Sequence, residues 1–169
     1  MTHELSDNSS PWSSFTSAGP VGKISLMLST WFFSGLMPLA PGTFGTIGSV
    51  PFIIALSYLD VYFKSLTLVI LIVVAVWSSG KSGEIMGRKD PPEIVIDEVA
   101  GFSVTMCFLP PTLVGIISGF ILFRLMDIFK PFPIKRLEKG LKGGYGIVAD
   151  DLMAGLYAFA GTKALLWLL

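Results

Sequence analysis

The stretch that decides the fold is "VAGFSVTMCFLPPTLVGIISGFILF", Val99 to Phe123, which holds 25 residues and no charge. A helix that crosses a bilayer needs about 20 apolar residues, so the stretch is long enough to span one. Its centre carries Pro110 and Pro111, however, and proline removes a backbone donor and clashes with the preceding helical turn. We therefore predict two short helices that fold back on each other and return Glu98 and Arg124 to the same side.

The charges on either side of this stretch favour the same hairpin. Segments 80–98 and 124–151 together carry nine of the twelve lysines and arginines. Basic segments next to membrane helices stay on the cytoplasmic side, so both should lie on that face. A re-entrant hairpin satisfies this rule, whereas a single straight span would place the two segments on opposite faces.

The composition indicates a membrane protein. Hydrophobic residues make up 52% of the 169 residues and charged residues only 14%, against roughly 25% charged in soluble domains. The mean hydropathy is +0.72. Irregular backbone at membrane depth is tolerated only when it is buried in protein. We predict an all-α fold, a compact helical bundle embedded in the membrane, with short and re-entrant hydrophobic helices.

The chain divides into a tail and one domain. Residues 1–22 are polar and serine-rich and lack a charged start followed directly by an apolar run, so they predict a mobile tail and no secretory signal. Residues 23–169 form a single helical domain. The uncharged run 24–59 is interrupted at 38–51 by "PLAPGTFGTIGSVP", which predicts two apolar helices joined by a loop. Shorter apolar runs follow at 65–79 and 152–169.

Several function classes are excluded. The net charge is zero, so no basic surface for nucleic acid is expected. The only histidine is His3, which argues against a phosphohistidine, a Ser-His-Asp triad and a histidine-bound zinc. No GxxxxGK[ST] motif is present, so no nucleotide is expected. Cys107 is followed by "FLPPTL" without an arginine in reach, and we interpret it as a packed apolar thiol.

Acidic residues gather where polar segments meet apolar ones: Asp97 with Glu98, then Asp127, then Asp150 with Asp151. An N-cap role would explain one acid of each pair but not both. Carboxylates placed together repel each other unless a cation joins them. Oxygen ligands without histidine or cysteine suit Mg²⁺.

Two bases accompany the middle acid. Arg124, Asp127 and Lys130 recur every three residues and would share one face of a helix. Arginine and lysine suit phosphate, and together with carboxylates and Mg²⁺ they form the set of groups used in phosphoryl transfer. The glycine-rich segment 140–146 could present backbone N–H groups to an anion, although such loops alone are weak evidence.

A different class of protein fits part of this pattern. Acidic residues within apolar sequence also mark ion pathways, so the alternative is a small membrane channel or transporter subunit with interfacial acidic residues. Against it, the acids here cluster at one surface and not at the middle of the bilayer.

Four blocks of the sequence resemble the phosphatidylglycerophosphatase A family: "APGTFGT" (40–46), "EIVIDEVAG" (93–101), "FRLMDIFKPFPI" (123–134) and "GGYGIVADDLMAG" (143–155). The resemblance implies an all-helical, Mg²⁺-dependent enzyme of the bacterial inner membrane. It also implies the reaction, hydrolysis of the phosphomonoester of phosphatidylglycerol phosphate, and hence a lipid substrate. The basic segments described above predict that the site lies at the cytoplasmic face.

Chemistry and resemblance agree on the site residues. The predicted metal ligands are Asp97, Glu98, Asp127, Asp150 and Asp151. The predicted catalytic residues are Asp97, Asp127 and Lys130, with either Asp97 or Asp127 activating water. The sequence does not separate direct attack by water from a route through an aspartyl-phosphate. The predicted substrate-binding residues are Arg124, Lys130, Thr43, Gly45 and Thr46. For the two threonines, capping of a helix N-terminus is the alternative role.

Overall fold

The computed structural model describes residues 11–169, apart from the side chains of Pro11 and of residues 137–139. Of the expected tail, residues 1–10 lie outside the described residues. The described part is helical, and it contains no strand. The helices are α1 Pro11–Ser17, α2 Pro20–Ser29, α3 Pro41–Gly48, α4 Val50–Ser57, α5 Val61–Met86, α6 Ile96–Met106, α7 Leu113–Phe129, α8 Ile134–Gly140 and α9 Gly144–Leu168, with a 3-10 turn at Ser34–Leu36.

The predicted hairpin at the double proline is confirmed. Helix α6 ends at Met106, and α7 begins at Leu113, where the Thr112 side chain accepts a hydrogen bond from the Gly115 N–H at 3.1 Å. The chain therefore reverses across 107–112. As expected, the far ends of the hairpin meet: Arg124 Nη1 lies 3.7 Å from Glu98 Oε1.

Helix α6 is the centre of the fold, because most of its residues are buried. It packs against α9, α7, α5 and α3. Hydrophobic clusters cover it on two sides. One joins it to α4, α7, α8 and α9 and consists of Ile53, Phe102, Met106, Leu109, Phe123, Ile134, Ala154 and Ala158. The other joins it to α5 and α9 and consists of Leu71, Ala75, Ile94, Ile96, Val99, Ala100, Ile147 and Val148.

Helices α6 and α9 approach closely at a pair of glycines. A Cβ at Gly155 would overlap the Gly101 carbonyl oxygen, and a Cβ at Gly101 would come within 2.5 Å of the Asp151 carbonyl oxygen. One turn further along, the Thr105 hydroxyl donates to both glycine carbonyls, at 3.1 and 3.2 Å. Small residues at a helix crossing allow backbones to touch, and here they bring the start of α6 beside α9.

Helix α5 is longer than the apolar run 65–79 suggested. Asp60 caps its N-terminus by accepting hydrogen bonds from the backbone of Tyr62 and Phe63, and the helix continues through the polar residues that follow the run. By length and composition alone it is the one helix among the described residues able to cross a membrane. Its most apolar 18 residues have a mean hydropathy of 2.1, and only 17% of them are buried. A single helix of this kind is weak evidence for membrane embedding.

Two further segments differ from the sequence-based expectation. The predicted loop at 38–51 is largely helix α3, which packs closely on Val95 through Gly45. Residues 11–17, assigned to the tail, form α1, where the rings of Trp12 and Phe15 contact Phe33.

Candidate active site

An acidic cavity of about 290 Å³ opens at the end of the bundle where α6 and α7 return to each other. We call it the acid cavity. Every acidic and basic residue that the sequence nominated lines it. The full lining is Ala40, Pro41, Gly42, Asp90, Pro91, Pro92, Ile94, Asp97, Glu98, Arg124, Asp127, Lys130, Ile147, Asp150 and Asp151.

The acids of the acid cavity come mainly from three helices, α6, α7 and α9. Asp97 and Glu98 lie in the first turn of α6, where the helix dipole favours negative charge. Asp150 and Asp151 do not cap α9, because that helix begins at Gly144 and the two acids lie beyond its first turn. The N-cap interpretation of this pair is therefore wrong. The dipole effect fades within one turn, so burial of these two acids needs another explanation.

Three carboxylates form a group that could hold a metal ion. Asp97, Glu98 and Asp151 each offer one oxygen, and these atoms all lie within 4.8 Å of one another. Buried polar atoms without a hydrogen-bond partner are rare in folded proteins. Here Asp97 Oδ1, Glu98 Oε2 and Asp151 Oδ1 are such atoms, as is Asp150 Oδ1 beside them. Acceptor-only oxygens that converge without donors fit a hard divalent cation.

The other two acids are held by the two bases. Asp127 Oδ2 lies 2.9 Å from Arg124 Nη1, and Lys130 Nζ donates to Asp150 Oδ2 at 2.5 Å. Lys130 reaches Asp150 because it ends α7 in the left-handed conformation, with φ of 43°. The cavity thus has a group of three carboxylates and two acid–base pairs, and the two sets meet where Arg124 Nη1 lies 3.7 Å from Glu98 Oε1.

Burial and mutual repulsion disfavour ionised carboxylates in the metal-free cavity. Burial first, and the charges of neighbouring acids second, raise the pKa of Asp97 and of Asp151 well above the ordinary value. Burial raises the pKa of Glu98 to about 7, against the favourable charge of Arg124. Burial also raises the pKa of Asp150, while Lys130 lowers it. A bound cation would favour the ionised forms and reverse these shifts.

These shifts predict how stability depends on pH. The folded protein binds protons at Asp97, Glu98 and Asp151 more tightly than the unfolded chain does, so stability falls as pH rises. For Glu98 the change lies between the ordinary glutamate pKa of 4.5 and its pKa of about 7 in the folded protein. We expect the metal-free protein to melt several degrees higher at pH 5 than at pH 7.5 in thermal unfolding monitored in neutral detergent. Divalent cation should stabilise it more at pH 7.5, and equal stabilisation at both pH values would contradict the assignment.

Helix α3 approaches the acid cavity through one glycine. A Cβ at Gly42 would overlap Glu98 Oε1 and lie 3.2 Å from Arg124 Nη1. Of the predicted substrate-binding residues in this helix, none lines the cavity. Gly45 packs against Val95, where a Cβ would come within 2.6 Å, and the buried Thr46 hydroxyl donates to the Gly42 carbonyl at 2.8 Å. Thr43 is partly buried. A substrate role for Thr43, Gly45 and Thr46 stays a prediction.

The alternative role for Thr43 and Thr46 is the capping of a helix N-terminus, and the structure shows the helix but no threonine cap. A helix does begin here, but its N-cap is Ala40, which makes no side-chain capping bond.

Gly42→Ala should impair the site without affecting the core. The added methyl group displaces the Glu98 carboxylate, and we expect activity to fall about 10²-fold, as an ångström of misplacement can cause. Gly48→Ala is the matched control in the same helix, because its Cβ would meet only Trp31 and Ser34, at 3.4 Å or more. Steady-state rates of the two variants test this, and equal rates would refute the close approach at Gly42.

The sequence analysis missed two contributors. Asp90 lines the acid cavity and adds to the repulsion that raises the pKa of Asp97, but it lies in a turn rich in charge and proline, where an acid is unremarkable. Gly42 and Gly45 lie in the same motif, "APGTFGT", and the sequence predicts a role for Gly45 only. Only the packing of α3 on α6 separates the roles of the two glycines.

Comparison with known proteins places this chain in a family. The sequence profile of phosphatidylglycerophosphatase A matches residues 27–166. The chain belongs to the phosphatidylglycerophosphatase A family. The matched region contains every residue that lines the acid cavity, so the family assignment and the geometry concern the same part of the chain.

Relatives of the phosphatidylglycerophosphatase A family cover most of the chain. The chain is 34% identical over 131 residues to phosphatidylglycerophosphatase A of Escherichia coli (strain K12). The aligned region covers 77% of this chain and 76% of the relative. The chain is 35% identical over 150 residues to the protein of that name from Haemophilus influenzae, and that alignment covers 85% of this chain and 92% of the relative. No solved structure matches the chain.

A third relative carries a different name. Over 152 residues the chain is 32% identical to a Bacteroides thetaiotaomicron protein provisionally named phosphatidylinositol-3-phosphatase, which spans 85% of this chain and 94% of the relative. All three names denote phosphatases that act on a phosphatidyl lipid. Membership of a phosphatase family favours an enzyme over the channel or transporter subunit considered above.

Proposed function

We propose that this protein hydrolyses the terminal phosphomonoester of phosphatidylglycerol phosphate, with Mg²⁺ held in the acid cavity. The observation that supports this proposal most directly is the group of three carboxylates beside two bases that can bind phosphate. This arrangement occurs in a chain of the phosphatidylglycerophosphatase A family. The same family membership supports a role in phosphatidylglycerol synthesis at the bacterial inner membrane. The basic residues around the cavity support a cytoplasmic orientation.

The predicted metal ligands would have two different roles, metal binding and the positioning of Lys130. Asp97, Glu98 and Asp151 would hold the ion, since one oxygen of each converges on the same point and each has a buried oxygen without a hydrogen-bond partner. Mg²⁺, when bound, supplies positive charge that stabilises the negative charge developing on the phosphoryl oxygens. Asp150 would position Lys130 through their hydrogen bond and take part in metal binding only through its remaining oxygen.

The two bases would bind the phosphoryl group. Arg124 and Lys130 line the same cavity as the three carboxylates, and their N–H groups can donate to non-bridging phosphate oxygens as the charge develops. Each is oriented by an acid, Asp127 for Arg124 and Asp150 for Lys130. This pairing fixes long, flexible side chains before the substrate arrives.

Asp127 is the better placed of the two predicted general bases. Asp97 belongs to the group that would hold the ion, whereas Asp127 lies outside that group and is fixed by Arg124. Water oxygen would attack phosphorus while one water proton passes to Asp127. The bond from phosphorus to the glycerol oxygen breaks, and the proton then moves from Asp127 to that oxygen, giving the alcohol and inorganic phosphate.

A substrate panel tests the proposal. Purified protein in neutral detergent with Mg²⁺ should release phosphate from phosphatidylglycerol phosphate faster than from phosphatidylinositol 3-phosphate or phosphatidic acid. A preference for phosphatidylinositol 3-phosphate would instead support the activity named for the Bacteroides relative. Absence of release from all three lipids, together with ion flux in liposomes, would favour the channel alternative.

A further inference from the structure

Two more cavities lie beside the acid cavity, along the C-terminal half of α5. A basic groove of about 410 Å³ is lined by Arg88, Lys89 and Lys142 together with glycines of α5 and α9. An apolar pocket of about 510 Å³ continues from it along α5, with walls from Ile72, Val76, Trp77 and Tyr145. Gly80, Glu84, Gly144 and Tyr145 line both, so the two form one depression.

The basic groove also connects with the acid cavity. A small cavity of about 80 Å³ lies between them and shares Lys89 and Gly143 with the basic groove. It shares Asp90 and Ile147 with the acid cavity. The order along the surface is therefore apolar pocket, basic groove, acid cavity.

Local structure fixes this order. Helix α5 ends at Gly87, which adopts a left-handed φ of 64°, and the Arg88 N–H donates to the Gly83 carbonyl at 3.1 Å. This ending turns residues 88–90 away from α5 towards the acid cavity. The start of α9 contacts α5 without side chains, since a Cβ at Gly144 would overlap the Val76 carbonyl oxygen.

The connected cavities differ sharply in charge. The basic groove and apolar pocket together contain four bases, Lys81, Arg88, Lys89 and Lys142, and one acid, Glu84. Lys81 and Glu84 pair at 3.2 Å, and Arg88 pairs with Glu93 at 2.8 Å. Lys89 and Lys142 remain as exposed positive charges facing one groove. The charged residues of the acid cavity are mainly carboxylates, whereas these two lysines make the groove suited to an anion.

The depression lies at the level expected for lipid head groups. It begins on the outward-facing part of α5, the helix long enough to cross a membrane. Trp77 and Tyr145 line it, and both are partly or largely exposed, at 43% and 68%. Tryptophan, tyrosine and lysine at the end of a membrane helix are typical of the interface between hydrocarbon and water.

We propose that the basic groove binds the bridging phosphodiester of the lipid substrate, the phosphate that is not hydrolysed, through Lys89 and Lys142. The apolar pocket then receives the start of the acyl chains. This inference rests on the proposed function, since it assigns the second half of the same substrate. In phosphatidylglycerol phosphate the order is acyl chains, phosphodiester, glycerol and phosphomonoester, which matches apolar pocket, basic groove and acid cavity.

Binding of the phosphodiester in the basic groove would let the enzyme distinguish lipids with two phosphates from lipids with one. A lipid whose only phosphate is the phosphomonoester can fill the acid cavity but leaves Lys89 and Lys142 without an anion. A lipid with both phosphates occupies the acid cavity and also supplies an anion to Lys89 and Lys142, which improves binding without changing the reacting bond. Lys89 and Lys142 are therefore substrate-positioning residues, and their loss should act on KM more than on kcat.

The test is the double variant Lys89→Gln/Lys142→Gln, assayed on short-chain phosphatidylglycerol phosphate in neutral detergent, where the substrate supplies the only lipid phosphodiester. We expect KM to rise about tenfold or more and kcat to change less than about threefold, as for lost uniform binding. Lys23→Gln/Lys163→Gln removes the same charge from exposed positions outside these cavities and should match the wild type.

A binding measurement separates the groove from the reaction. Short-chain phosphatidylglycerol carries the phosphodiester but no phosphomonoester. The double variant should bind this lipid about tenfold more weakly than the wild type does, which corresponds to the loss of one strong charged contact. If the wild type binds this lipid but hydrolyses no phosphatidylglycerol phosphate, the proposed function fails while the groove assignment stands. Unchanged KM and unchanged affinity overturn the groove assignment. A defect that appears only after anionic bilayer lipid is added also overturns it, since the groove would then bind bulk lipid.

Discussion

Asp97→Asn and Asp151→Asn should each reduce phosphate release from phosphatidylglycerol phosphate by roughly 10²–10³-fold, the range seen when one charge-stabilising group is removed from an active site. Both residues offer an unpartnered buried oxygen to the three-carboxylate group. An amide keeps the size of the side chain but loses the charge that would bind the ion.

The same variants should behave differently in stability measurements. Without metal, each substitution removes a buried carboxyl group whose raised pKa lowers stability at neutral pH, so the melting temperature in chelator should stay the same or rise. With Mg²⁺, the wild type should gain stability and the variants should gain little. Loss of activity combined with retained metal-free stability distinguishes a metal ligand from a residue that merely supports the fold.

The matched control for these variants is Asp60→Asn. Asp60 caps α5, far from the acid cavity, and asparagine caps a helix about as well as aspartate does. This control should keep near-normal activity and a normal response to Mg²⁺. If Asp97→Asn and Asp151→Asn also retain rates within about threefold of the wild type, the three-carboxylate group is not the metal site.

Gly155→Ala should have the second largest effect, although Gly155 is not in the acid cavity. Its Cβ would overlap the Gly101 carbonyl oxygen, so α6 and α9 must separate. Gly101 follows Asp97 by one helical turn, and Gly155 follows Asp151 by one turn. The glycine contact therefore sets the distance between the two carboxylates.

The expected result is a change in both stability and metal affinity. Overpacking of this kind usually destabilises a protein by about 1–3 kcal/mol, and displacement of one ligand should lower activity about 10²-fold. The Mg²⁺ concentration for half-maximal activity should rise, when measured at a temperature where the variant is fully folded. Gly161→Ala is the control in the same helix, because its Cβ would meet only the flexible end of Leu122, at 3.2 Å. Unchanged Mg²⁺ dependence in Gly155→Ala would show that the glycine contact does not set the site.

The hairpin and the gathering of charge could be predicted from sequence because each depends on strong local signals. Two adjacent prolines end a helix wherever they occur, and acids beside apolar runs have few reasons to be there. These signals were enough to bring Glu98 and Arg124 together. They did not separate the acids that converge on one point from those paired with bases, since that depends on how α6, α7 and α9 cross.

Helix ends were less predictable. Glycines and threonines at 42–48 suggested a loop, yet tertiary packing of Gly45 on Val95 keeps the segment helical. The start of α9 was expected near Asp150, because aspartate is a common N-cap, but the helix begins at Gly144 against α5. In both cases the deciding contact is with a residue distant in sequence. The basic groove was invisible for the same reason, since Lys89 and Lys142 meet only in the folded chain.

The most direct test of the central claim is phosphate release from phosphatidylglycerol phosphate by the purified protein in neutral detergent, followed through removal and return of Mg²⁺. We predict that release falls to background in excess chelator and recovers when Mg²⁺ is added beyond the chelator. Release that persists in excess chelator would contradict a metal-dependent site formed by Asp97, Glu98 and Asp151.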